Sequence, residues 1–265
     1  MEKLLPQPPT RNTSNALSTY TSSQPTSQFR TKFASMSMHM RDRLRFLAFP
    51  PSVLSAITST IPRYWPQGIQ DTRPYAGSYE IKLRGRPWSG KGDDAVHARR
   101  LMTQLLNTLH THGWIMTLST DISRKITDKD TLLFRHQVPA PSPCDWMTVA
   151  FSRRDKLRFI DAPAAIHSTF IALLGSDIIQ SYGPHGLPGV FDFKLRGVPW
   201  RATGEDTMVA RALLLKLLEG LEGDGWTVYA SIDQKATVRD DISETDTWHC
   251  CRLKGWVRGS PVYHN

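Results

Sequence analysis

Between residues 33 and 265 the chain is written twice. Arg41-Asp42-Arg43-Leu44-Arg45-Phe46 answers Arg154-Asp155-Lys156-Leu157-Arg158-Phe159 at an offset of 113. Tyr79-Glu80-Ile81-Lys82-Leu83-Arg84-Gly85-Arg86-Pro87-Trp88 answers Phe191-Asp192-Phe193-Lys194-Leu195-Arg196-Gly197-Val198-Pro199-Trp200 at an offset of 112. Gly113-Trp114 answers Gly225-Trp226, and Asp130-Thr131 answers Asp246-Thr247 at an offset of 116. The added residues fall in a polar stretch, where a loop absorbs insertions at little cost. A repeat on this scale means one supersecondary unit used twice, and it limits the folds open to the chain before any local propensity is weighed.

The same elements can be traced in both copies. A strand at 33–40 or 146–152 turns into a second that ends at Pro50 or Pro163. A helix follows at 52–60 or 164–174; proline at a helix start removes only an N–H that has no helical partner there. Pro/Gly-rich loops are expected at 62–78 and 175–189, long enough to be functional or mobile. The strand at 79–84 places Tyr79, Ile81 and Leu83 on one face and Glu80, Lys82 and Arg84 on the other. The strand at 191–196 repeats this alternation. The long helix carries Ala98, Leu101, Met102, Leu105, Leu106 and Leu109 at helical spacing, matched by Ala210, Leu213, Leu214, Leu217, Leu218 and Leu221. Asp93-Asp94 and Glu205-Asp206 suit its N-terminal dipole, and Gly113 and Gly225 suit its C-terminal cap. Strands at 114–120 and 131–136, and at 226–232 and 247–252, close each unit. The expectation is an α+β fold of two tandem β-β-α-β-α-β-β repeats, with mostly antiparallel sheets, helices on one face and a pseudo-twofold arrangement. The domain limits read as a tail at 1–32, a first repeat at 33–138, a linker at 139–145 and a second repeat at 146–265.

Composition adds compartment and charge. Residues 1–35 hold twelve Ser or Thr and little that is large and apolar, so they are expected to be disordered, with a cleavable mitochondrial presequence as the alternative. The formal net charge is +9, concentrated in the tail and first repeat. Residues 41–138 carry fifteen basic and eight acidic side chains; residues 139–265 carry fourteen and fifteen. Cys144, Cys250 and Cys251 form no disulfide framework, and free thiols fit an intracellular, cytoplasmic or nuclear, setting. Cys250 and Cys251, neighbours in a strand, point to opposite faces. No run of apolar residues is long enough to cross a membrane.

The segments 82–88 and 194–200 are the most distinctive. Lys82, Arg84, Arg86 and Trp88, with Lys194, Arg196 and Trp200, are the candidate binding residues: cations beside an aromatic ring can hold phosphates and stack bases. The competing reading has the cations in solvent and each Trp anchoring the long helix. Lys91, in Gly90-Lys91-Gly92-Asp93, lacks the spacing of a phosphate loop. Asp121 and Asp233 end equivalent strands and would meet if a cleft lay between the repeats. His110, His112 and His249 have spacing that zinc tolerates, yet no metal, cofactor or catalytic set assembles.

These segments, the Gly-Trp pairs and Glu244-Thr245-Asp246-Thr247-Trp248-His249-Cys250-Cys251-Arg252 make the chain similar to a group of uncharacterised, mostly fungal, internally duplicated proteins over about residues 33–265. The resemblance implies no activity. A non-enzymatic protein-binding or scaffold role leads. A nucleic-acid binder working through the basic first repeat, and an enzyme with an inter-repeat cleft, are the alternatives.

Overall fold

The computed structural model describes residues 30–89, 91–120, 130–234 and 246–262. In the first repeat β1 (Phe33–His39) and β2 (Arg43–Leu47) form a hairpin, followed by α1 (Pro51–Tyr64), β3 (Ile69–Tyr75), β4 (Ser78–Leu83), α2 (Asp93–Thr111), β5 (Trp114–Thr120) and β6 (Thr131–His136). The second repeat runs β7 (Cys144–Ser152), β8 (Lys156–Ile160), α3 (Ala164–Ile178), β9 (Ile179–Pro184), β10 (Val190–Leu195), α4 (Asp206–Gly223), β11 (Thr227–Ile232) and β12 (Thr247–Leu253). Each repeat forms its own six-stranded antiparallel sheet, in the order β3-β4-β2-β1-β6-β5 and β9-β10-β8-β7-β12-β11.

One strand per repeat departs from expectation. β3 and β9 lie within the segments read as Pro/Gly-rich loops. Both are edge strands, where Pro74 and Pro184 need not donate to a second neighbour. Their side chains are mostly exposed, so no alternation of burial marks them in the sequence.

The two most alike segments of the repeats touch each other. Trp88 Nε1 donates to Arg43 O and Trp200 Nε1 to Lys156 O, each at 3.0 Å. The Leu83 and Leu195 N–H groups donate to Asp42 O and Asp155 O. The Trp-bearing turn therefore locks onto the β1–β2 or β7–β8 hairpin. Gly113 and Gly225 cap the long helices at φ 79° and 81°; a Cβ on Gly225 would run into the Trp256 ring.

Helix α2 has two buried sides. Leu101, Met102, Leu105, Leu106 and Leu109 join Met36, Leu44, Ile81 and Phe134 in the first core. Each such leucine contributes about 2 kcal/mol on leaving water. On its other side Val96 meets Ile160 and Val190, and Thr103 meets Thr148. Those partners belong to the second sheet, whose opposite face, with Met147, Val149 and Phe151, packs on α3 and α4. The order is sheet, helices, sheet, helices. The α+β fold of two tandem repeats with antiparallel sheets is as expected; within it a strict twofold would place α4 on the first sheet as α2 lies on the second. Met208, Val209 and Leu215 of α4 are instead 64%, 68% and 61% exposed. The repeats are stacked head to tail.

Candidate functional site

Three features between and around the repeats have the makings of a site. The first is the buried seam under α2. Thr103 Oγ1 hydrogen-bonds with Thr148 Oγ1 and lies 2.7 Å from His249 Nδ1. His249 Nε2 lies 3.2 Å from Gln234 Nε2. With the Gln234 amide donating to Nε2, the ring carries its proton on Nδ1 and gives it to Thr103, whose own hydroxyl is 3.1 Å from Arg99 O. Arg99 Nε donates to Thr247 Oγ1. Loss of water, then the Arg99 charge, push the His249 imidazole down from 6.5 to about 3. The ring is neutral, and both nitrogens are engaged. At the rim, Arg100 grips Asp161 with two bonds of 2.7 Å and donates to Pro188 O.

The second feature is a cleft of about 550 Å³ where α2 ends, the linker passes and β5 approaches β11. Its walls include His110, Met116, Cys144, Tyr229, Cys251 and Trp256. The Met116 N–H donates to Tyr229 Oη at 2.7 Å, joining the repeats. His110 packs edge-on to Trp146 and Tyr229, and burial lowers its basicity. None of the three cysteines is in a disulfide. Cys250 is buried in the second core, whereas Cys251 faces the cleft beside Thr227 Oγ1. A hydrogen bond from Cys144 holds the Cys251 thiol below its ordinary value, and the same bond raises Cys144. Of the two thiols, Cys251 is thus the one whose ionisation this contact favours.

The third is the outward face of α4. An offset of 112 sets Met208, Val209, Ala212 and Leu215 at the positions of Val96, His97, Arg100 and Thr103. Val96 and Thr103 are buried in the seam between the repeats; their α4 counterparts are bare. The sequence reading followed the core side of α4 and missed this one. Its signal was apolar residues in the second copy where the first has Arg100 and Thr103.

The residues named from sequence fall as follows. Trp88 is fully buried and Trp200 half-buried against Phe151, so neither presents a free ring face. Arg84 and Arg86 are exposed and Lys82 half-buried. Lys194 is exposed; Arg196 is exposed and donates to Ser176 O. Glu80 lies under Arg43, Arg45 and Arg73, and Asp192 under Lys156 and Arg158. Asp121 lies outside the described residues. The Asp233 N–H donates to the Asp130 carboxylate at 3.2 Å. His112 Nδ1 pairs with Thr108 O, so His110, His112 and His249 do not converge. Among the described residues no group of three His, Cys, Asp or Glu side chains could hold a metal ion. No helix there is long and apolar enough to cross a membrane.

One protein-family model matches the chain twice, over residues 32–135 and 145–251. A solved structure, that of a conserved kinetoplastid-specific protein from Trypanosoma cruzi, is similar over 40% of this chain and 97% of that one, with 17% identity and a TM-score of 0.30. No match to a curated protein was found.

Proposed function

Because the chain belongs to the family of that twice-matched domain and carries two copies in tandem, we propose that it is a non-enzymatic protein-binding scaffold whose docking surface is the outward face of α4. One observation carries this reading. The same helix side that in the first repeat is buried against a neighbouring module is bare in the second, and it is apolar. A contiguous apolar stripe on a folded surface marks an interaction site. Free thiols fit an intracellular, reducing setting for this role. A photo-crosslinking residue at position 215 should capture a polypeptide in cells, and the same group at exposed Ser55 on α1 should not. Capture at neither position would overturn the reading.

A second reading, polyanion binding, is supported by Lys82, Arg84 and Arg86, which make no ion pair among the described residues and lie together at the end of β4. Reversing the charge at Arg84 and Arg86 should weaken single-stranded RNA binding in fluorescence anisotropy and flatten its salt dependence. An unchanged affinity would sink it.

A further inference from the structure

We propose that the chain assembles with itself head to tail, α4 of one copy seating on the outer face of the next copy's first sheet. This rests on the protein-binding reading and names its partner. The contact to be reproduced already exists inside the chain, between α2 and the outer face of the second sheet. Repeat equivalence gives the two surfaces that would make it again, and they differ from the internal pair in matched ways.

Inside, Thr103 meets Thr148 and His249. The equivalent residues outside are Leu215 on α4 and Ser35 and Leu133 on the first sheet, which pair across β1 and β6 as Thr148 and His249 pair across β7 and β12. A polar knot on both sides becomes a leucine on each side. Inside, Arg100 on the helix holds Asp161 on the sheet. Outside, the positions are Ala212 and Ala48, both exposed; Ala48 keeps the positive φ of Asp161, 64° against 58°. An ion pair becomes two alanines, so neither of these two positions carries an unpaired charge. Inside, Val96 packs on Ile160. Outside, Met208 corresponds to Val96 and Leu47, 49% exposed, to Ile160; Leu118, 53% exposed, stands where Ala230 does. Each polar-to-apolar change on the helix thus has its counterpart on the sheet.

Charge points the same way. Residues 205–224, spanning α4, carry five acidic and two basic side chains. The far half of the first sheet's outer face presents Arg43, Arg45, Arg73 and Lys82 around the buried carboxylate Glu80, with Asp71 in register with Lys82 and Asp42 3.7 Å from Arg43, and so keeps a small excess of cations. A contact of this kind is heterologous. It leaves a free helix face at one end and a free sheet face at the other, so growth does not stop at a dimer.

The test is sedimentation of the full chain from micromolar to near-millimolar concentration. The wild type should pass beyond dimer mass. Leu215→Glu blocks the helix end and Leu47→Glu the sheet end. Both positions are exposed, so each variant should keep the wild-type circular dichroism and melting curve. Each alone should self-associate at least roughly a hundredfold more weakly, since it would bury an unpaired charge. Mixed in equal amounts, the two variants should form a dimer and nothing larger, because each supplies one intact end. A wild type that stays monomeric throughout, or an assembly untouched by both variants, overturns the proposal. A monomeric wild type whose position-215 probe still captures a different polypeptide overturns self-assembly alone and leaves the protein-binding reading standing. Capture of the chain's own residues 1–29 by that probe overturns both.

Discussion

Replacing His249 by leucine, the residue that Leu133 supplies at the equivalent site of the first repeat, separates two effects of burying an imidazole. At neutral pH the substitution removes a hydrogen-bonded ring from between Thr103 and Gln234. It should destabilise the protein by about 1–3 kcal/mol, because the buried Gln234 amide loses its partner and the Thr103 hydroxyl keeps only Thr148 and Arg99 O. On acidification the sign reverses. The folded imidazole, desolvated and facing Arg99 on α2, protonates only near pH 3, whereas the unfolded one does so near 6.5. Between these values the unfolded chain binds the additional proton, so wild-type stability is complete above 6.5 and falls as pH falls toward 3. At about pH 4.5 the loss is about 3 kcal/mol, two tenfold steps at about 1.4 kcal/mol each. His249→Leu lacks this loss. Urea unfolding at pH 7 and at about pH 4.5 measures it: the gap between wild type and variant should shrink by about 3 kcal/mol or change sign. His110 and His167, whose basicity burial also lowers, remain in both proteins and cancel in the difference. Parallel stability curves would refute the claim that the seam holds an uncharged histidine.

Three further outcomes follow from the geometry. Truncating Arg100 and Asp161 to alanine, singly and together, should give a coupling energy of about 1 kcal/mol in a double-mutant cycle, small because Asp161 is a third exposed; coupling near zero would make the rim pair ornamental. For Glu80, burial alone would raise the carboxyl, but Arg45, Arg43 and Arg73 overcome it and hold it below 4.5. Its contribution is therefore present above 4.5 and lost as pH falls below, and Glu80→Gln should cost about 2–4 kcal/mol at pH 7 and progressively less in acid, read from urea midpoints. Removing the Cys144 hydrogen bond with Cys144→Ala should move the onset of Cys251 alkylation to higher pH, followed by mass spectrometry; an unmoved onset would show that Thr227 and burial alone set that thiol.

Much of the architecture was legible because burial left a period. In α2 the spacing of Leu101, Leu105 and Leu109 follows the core they fill, and in β4 Ile81 and Leu83 follow the sheet's inner face. Gly113 and Gly225 marked the helix ends because only a left-handed residue continues the chain there. β3 and β9 left no period, since an exposed edge strand needs no apolar face and tolerates proline. The resemblance of the 82–88 and 194–200 segments was plain, but its cause was not. What is repeated is the grip of each Trp on the hairpin behind it, and a hydrogen bond between distant segments has no local signature.

The candidate site was hidden for a related reason. Helix periodicity reports how apolar residues cluster, not what covers them. In α2 the seam side is lined by Arg99 and Thr103, so it reads as solvent-facing although both are buried. In α4 the corresponding side carries Met208 and Leu215, apolar residues outside the periodic core set, and both are exposed. A polar group survives burial in the seam because its partners are built in: Thr148 and His249 for Thr103, Thr247 for Arg99. An apolar group on a bare face has the opposite problem. Among the described residues nothing removes Met208, Val209 or Leu215 from water, and at about 1.5–3 kcal/mol for each side chain fully buried, the free energy left unrealised on that face is of the order that a specific association uses. The two copies thus invert the usual rule in opposite senses, and both inversions concern the same helix side. Duplication explains why that side can be matched in place: one module presents the helix, the next presents the sheet, and a chain of two has one of each left over.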